Sequence, residues 1–229
     1  MTPLDAMSSA KRAIIDAVAA EVRRRQTGEG SGHDWSHTLR VWNLTLRINE
    51  VEGGDLYIVS LAALLHDVGD WKLFDGDGEA EVRTIMTERG VDESSIAHVL
   101  AIISEVSFYG GGTPRPMSTL EGKIVQDADR LEAIGAIGIA RCFAYGGSRD
   151  RLIYDPEYTA RTNMTEAEYK SAKGDSVSHF YEKLLLLRDL MNTTTGKQMA
   201  DKRHEVMVRF LADFYSEWAD ADDLLPDYR

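Results

Sequence analysis

Apolar residues recur at three- and four-residue intervals along most of the chain, the spacing of one face of an α-helix. Ile14, Ile15, Val18, Ala19 and Val22 predict a first helix over about 8–25, ended by Gly28-Glu29-Gly30-Ser31-Gly32. Val41, Leu44, Leu46 and Ile48 predict a second, with Asp34 or Ser36 as its N-cap and Gly53-Gly54 as its break. The stretch Leu61-Ala62-Ala63-Leu64-Leu65 is different, being apolar on every side. It predicts a buried central helix, capped by Asp55 and stopped by Gly69. Val82, Ile85 and Met86 mark a helix over about 79–88, closed by Gly90. Asp92 caps the next, which carries Ile96, Val99, Leu100, Ile102 and Ile103. Leu120, Ile124 and Val125 lie in a helix over 119–133, followed by a small apolar one over 133–145 in which Gly135 and Gly138 permit close packing. Two helices over about 176–191 and 194–218 finish the pattern. The stretch 109–116 is too rich in glycine and proline to be helical. Residues 146–175 are polar and aperiodic and read as a long excursion or lid. No run alternates apolar and polar residues with β-branched enrichment, so the expected fold class is all-α. The expected organisation is a single helical bundle over 1–229, with the lid at 146–175 and a C-terminal helical pair at 176–223.

Composition narrows the class of function. The chain has 229 residues, 43% of them hydrophobic, with 5 prolines, which suits a folded protein with a sizeable core. Its formal net charge of -12 excludes non-specific binding to nucleic acid, although a metal and a few local cations leave a nucleotide substrate open. The single cysteine, Cys142, forms no intrachain disulfide and suits a reducing compartment. No apolar run approaches the ~18 residues needed to span a bilayer, and no signal-peptide pattern is visible. The expectation is a cytoplasmic protein with no membrane partner. Nothing in the chain sets an oligomeric state.

The central helix runs straight into His66-Asp67, Asp70 and Lys72. Adjacent helical positions diverge by about 100°, so His66 and Asp67 share one metal only near the helix end and with help from elsewhere. Two other segments offer that help: Gly32-His33-Asp34-Trp35-Ser36-His37 and Gln126-Asp127-Ala128-Asp129-Arg130-Leu131-Glu132. Two neutral imidazoles and two carboxylates suit one divalent cation (Mn²⁺, Mg²⁺, Zn²⁺, Fe²⁺ or Ni²⁺), and the set does not choose among them. Four protein ligands leave positions for water on a six-coordinate ion, as metal-assisted hydrolysis requires. Arg130 either clamps phosphate or pairs with Asp127 or Glu132. His33 is either a substrate contact or a supporting donor.

These pieces, with Leu64-Leu65-His66-Asp67 and His179-Phe180-Tyr181-Glu182-Lys183-Leu184-Leu185, resemble the HD superfamily of metal-dependent phosphohydrolases. The bacterial subgroup of small HD-domain hydrolases, some of them similar to nucleoside triphosphate pyrophosphohydrolases, resembles the chain most. The resemblance implies an all-helical fold with His37, His66, Asp67 and Asp129 as ligands of one metal. It favours Asp129 over Asp127, because the motif places the ligand before Arg-Leu. It also matches Asp70 to a carboxylate that activates or orients water, which would suit Lys72 to meeting phosphate as a point charge. No further histidines are arranged for a second metal. The implied activity is hydrolysis of a phosphoester or phosphoanhydride in a small, nucleotide-like phosphorylated substrate. The rivals are a catalytically silent metal- and nucleotide-binding regulatory module, and an iron oxygenase, which would need more ligands than the chain offers.

Overall fold

In the computed structural model, residues 3–26, 34–68, 77–106, 116–162, 164–165, 167–168 and 174–224 are described. Among these residues a 3₁₀ turn, Pro3–Ala6, precedes nine α-helices: α1 Ser9–Gln26, α2 Trp35–Glu52, α3 Leu56–Leu65, α4 Gly78–Glu88, α5 Glu93–Val106, α6 Leu120–Glu132, α7 Gly135–Ser148, the short α8 Ser178–Glu182 and α9 Thr194–Leu224. There is no strand among the described residues. The all-α expectation holds, and no helix among those residues is long and apolar enough to cross a membrane.

Helix α3 is the axis of the assembly. Every residue from Tyr57 to Leu65 is buried, and α1, α2, α5 and α6 pack round it. The Asp55 carboxylate caps its start, accepting from Tyr57 N at 2.8 Å and Ile58 N at 3.3 Å. Ser60, the one serine in this apolar run, is satisfied locally by donating to Leu56 O at 2.7 Å. The helix stops at Leu65, with His66 as its C-cap, earlier than the expected stop at Gly69, which lies outside the described residues. Buried residues from α1 through α9 join one hydrophobic cluster centred here.

Elsewhere the structure sharpens or corrects the pattern. Asp34, and not Ser36, caps α2 by accepting from His37 N at 2.8 Å. Between α6 and α7, Gly135 has φ +76, a left-handed angle that favours glycine. A Cβ on Gly138 would lie 2.3 Å from Ala133 O, so the tight α6–α7 turn depends on both glycines. The helix expected over 176–191 is broken at Lys183 into α8 and a 3₁₀ segment, Leu184–Arg188. With three residues per turn, Leu184 and Leu187 eclipse and both are buried, which an α-helical turn would not deliver as directly. α7 runs on to Ser148, so the excursion expected from 146 begins only at Arg149; it is tied at its base, where Leu152 O and Ile153 O accept from Ser176 N and Val177 N, each at 3.0 Å. Contacts among Phe143, Phe180, Phe210, Phe214 and Trp218 hold α9 against α7 and α8.

Because Leu61 is wholly buried in α3, Leu61→Ala should lower the unfolding free energy by about 2–5 kcal/mol. Urea titration followed by helical circular dichroism measures the loss; a change below about 1 kcal/mol would mean that α3 is not the packing axis.

Candidate metal centre

The four predicted ligands come from three helix ends. His37 sits in the first turn of α2, its backbone fixed by the Asp34 cap. His66 and Asp67 follow α3 where the chain leaves the helix, and Asp129 lies in the last turn of α6. His37 Nε2 and His66 Nε2 are 3.4 Å apart. Asp67 Oδ2 stands 3.3 Å from the first and 3.4 Å from the second. Asp129 Oδ1 stands 3.7 and 3.8 Å from the same two nitrogens. Ligand bonds of about 2.1 Å give neighbouring donor atoms on a metal separations of roughly 3.0–3.4 Å, so the cluster is within a few tenths of an ångström of a coordination shell.

The outward nitrogens are held too. His66 Nδ1 lies 2.8 Å from Ala63 O. A carbonyl only accepts, so Nδ1 carries the proton and Nε2 turns its lone pair into the cluster. His37 Nδ1 faces Glu132 Oε2 at 3.4 Å, a carboxylate that in turn accepts from Arg40 Nε at 2.9 Å and has Arg141 NH1 at 3.9 Å. Carboxylate or carbonyl partners of this kind orient metal-binding imidazoles and raise their basicity. The donor set and its surroundings therefore fit a divalent cation held by His37, His66 and Asp129, with Asp67 Oδ2 near both imidazoles as the fourth candidate donor.

The electrostatics point the same way. Burial disfavours an imidazolium at His37, yet its contacts with Asp67 and Glu132 prevail and raise its pKa to about 9. Burial likewise works against ionised Asp129 and Glu132. The two imidazoles hold Asp129 below the usual carboxylate range, and hydrogen bonds from His37 and Arg40 do the same for Glu132. The cluster demands positive charge at its centre. Asp129 is also the one ligand with an open side: 34% of its side chain is exposed, against 1%, 2% and 9% for His37, His66 and Asp67.

Asp127 has a different place. Its buried carboxylate accepts from Asn192 N and Nδ2 and from Thr193 N and Oγ1, at 2.7–2.9 Å, and so fixes the start of α9. Arg130 is half-buried and its NH1 donates to Leu190 O. Burial pushes His179 down to about 3, and Lys183 and Arg151 add to that, so it is neutral. His33, Asp70, Lys72 and the stretch 107–115 lie outside the described residues. The supporting roles of Glu132, Arg40 and Arg141 were not anticipated. The usable signal was spacing, since Glu132 is three residues beyond Asp129 and Arg40 three beyond His37, each on the same helix face as its ligand.

Metal uptake must displace the proton that His37 holds up to about pH 9. Manganese binding at pH 7 should release about one proton, and apparent affinity should rise roughly tenfold per pH unit towards pH 9. Calorimetry in buffers of different ionisation enthalpy reads the proton directly; pH-independent binding without release contradicts the assignment. Glu132→Gln should weaken manganese binding by about 10–100-fold in the same titration.

The HD-domain family profile matches residues 34–134, the span from the cap of α2 to the end of α6. YpgQ of Bacillus subtilis (strain 168) is 41% identical over 189 residues, covering 81% of this chain and 84% of that protein. Its crystal structure in complex with ADP superposes with a TM-score of 0.74 at 34% identity, over 91% of this chain and 96% of that one. A Lactobacillus plantarum protein superposes with a TM-score of 0.84 at 35% identity, over 93% and 99% of the two chains. An HD-superfamily hydrolase from Bacillus thuringiensis does so with a TM-score of 0.71 at 41% identity, over 91% and 98%. With His37, His66 and Asp129 of its matched span gathered round one point, this chain belongs to the HD superfamily.

Proposed function

We propose that the chain is a metal-dependent phosphohydrolase that cleaves a phosphoester or phosphoanhydride bond in a small nucleotide-like substrate. The observation that carries this reading is the convergence of His37, His66, Asp67 and Asp129 within 3.3–3.8 Å across each imidazole–carboxylate pair. Membership of a superfamily that includes a hydrolase supports it, as does the ADP complex of YpgQ. A bound divalent cation supplies an acidified water and polarises a phosphate oxygen.

The chain's own residues do the rest. His37 and His66 present fixed lone pairs because Glu132 and Ala63 O hold their other nitrogens. Asp129, open on one side, marks the face from which phosphate approaches. Asp70 orients the attacking water or takes its proton, and Lys72 and Arg130 neutralise the phosphate, with His33 contacting the substrate. Residues 146–175 close over it as a lid on a single catalytic domain, with 176–223 as the helical pair behind. With a nucleoside triphosphate the same arrangement serves release of either orthophosphate or pyrophosphate.

The deciding experiment incubates manganese-loaded protein with a panel of nucleoside triphosphates and diphosphates and separates the two products. Metal-dependent turnover is expected, with all activity lost on chelation. Saturable binding without product over hours would leave only a regulatory module. Asp67→Asn should abolish both metal binding and turnover. Asp70→Asn should keep the metal and lose about 10²–10⁴-fold in kcat; full activity in that variant would remove Asp70 from the mechanism.

A further inference from the structure

A cavity of about 560 Å³ lies between α2, α7 and α9, and Glu132 forms part of its wall. It holds none of the four candidate ligands. Three arginines line it, Arg40 and Arg47 from α2 and Arg203 from α9, together with Leu44 and Ile137. Its carboxylates are Glu132 and Glu50. Glu132 is 1% exposed and already engaged by His37 and Arg40. Arg203 NH1 donates to Leu131 O, which anchors that guanidinium at the wall without neutralising it. Burial lowers the Arg203 pKa and the like charge of Arg47 adds to this, against the pull of Glu132. Arg47 and Arg203 line one cavity from facing helices, and an anion lying between two guanidinium groups accepts from both. Leu44 and Ile137, the latter 44% exposed, offer an apolar wall beside that charge. The volume falls within the range of small-molecule sites, about 300–1,000 Å³.

The geometry points to a second ligand site here, distinct from the metal centre, that takes a phosphate-bearing small molecule the size of a mononucleotide. Its phosphate sits between Arg47 and Arg203, within reach of Arg40, and its less polar body lies on Leu44 and Ile137. Arg40 also donates to Glu132, which holds His37, so the site shares one side chain with the metal's support. This inference stands apart from the hydrolase reading, since it needs neither metal nor turnover.

The test uses metal-free full-length protein, adenosine 5′-monophosphate as the probe, and calorimetric titration. One molecule should bind, more tightly than either orthophosphate or adenosine alone. Arg47→Glu should weaken binding at least tenfold; Arg47 is exposed, and an unchanged helical spectrum checks that the variant folds. Arg47→Leu should give a smaller loss in the same direction. Asp129→Asn, which alters the metal centre only, should leave the affinity within about twofold. Absence of binding, equal affinity for orthophosphate, unchanged affinity in Arg47→Glu, or loss in Asp129→Asn would each overturn the site. None of those outcomes bears on whether the metal-loaded protein hydrolyses nucleotides.

Discussion

Two imidazole nitrogens 3.4 Å apart, each with a carboxylate oxygen of Asp67 and of Asp129 at 3.3–3.8 Å, bring lone pairs into one small volume, and most of the fold can be understood as what keeps them together. The imidazole nitrogens of His37 and His66 face each other at 3.4 Å with a carboxylate oxygen of Asp67 close to both. In water such groups would drift apart or take up protons. Here each is anchored from behind: His37 by Glu132, His66 by Ala63 O, and their backbones by helix ends packed into a common core. The raised His37 pKa is the same strain expressed as proton affinity. A divalent cation bound there would relieve it more fully than one proton, because it would meet several donors at once.

That constraint explains why the ligands stand at helix termini. His66 and Asp67 are adjacent, and within a continuous helix their side chains would point about 100° apart. Ending α3 at Leu65 frees both residues to turn towards one point. Asp129 occupies the last turn of α6 and His37 the first turn of α2, so the three helix ends meet at the cluster. The wholly buried α3 gives the arrangement a rigid floor, which loops would not.

Much of this was legible in the residue pattern, for physical reasons. A helix apolar on every side has only one place to go, so α3 and its polar end stood out. The ligands stood out because few structural roles call for a histidine beside an aspartate at the end of such a run. What stayed hidden depended on tertiary partners. Glu132 reads as an ordinary helix carboxylate until α2 brings His37 and Arg40 to it. The break at Lys183 was invisible because Leu184–Leu187 suits an α-helix as well as a 3₁₀ turn, and the burial of Leu184 and Leu187 decides between them. Asp127 and Asp129 differ by two positions and nearly face opposite ways on α6, which sends one to the start of α9 and the other to the histidines.

The charge balance carries one last step. A chain of net charge -12 repels phosphorylated molecules at long range. Screening limits that field to about 10 Å at ordinary ionic strength, so short-range organisation decides what binds. Arg40 and Arg141 meet round Glu132, and Arg47 and Arg203 stand on the cavity beside it. Arg40 is thus placed behind the candidate ligands, where with His37 it holds Glu132 ionised. Replacing Arg40 by a neutral residue would remove one of the two groups that oppose burial there, and a protonated Glu132 would no longer accept from Nδ1 with the strength of a carboxylate. A net acidic chain and a local group of arginines are therefore compatible: the first sets solubility, while Arg40 helps to keep the buried Glu132 carboxylate charged beside the His37 imidazole.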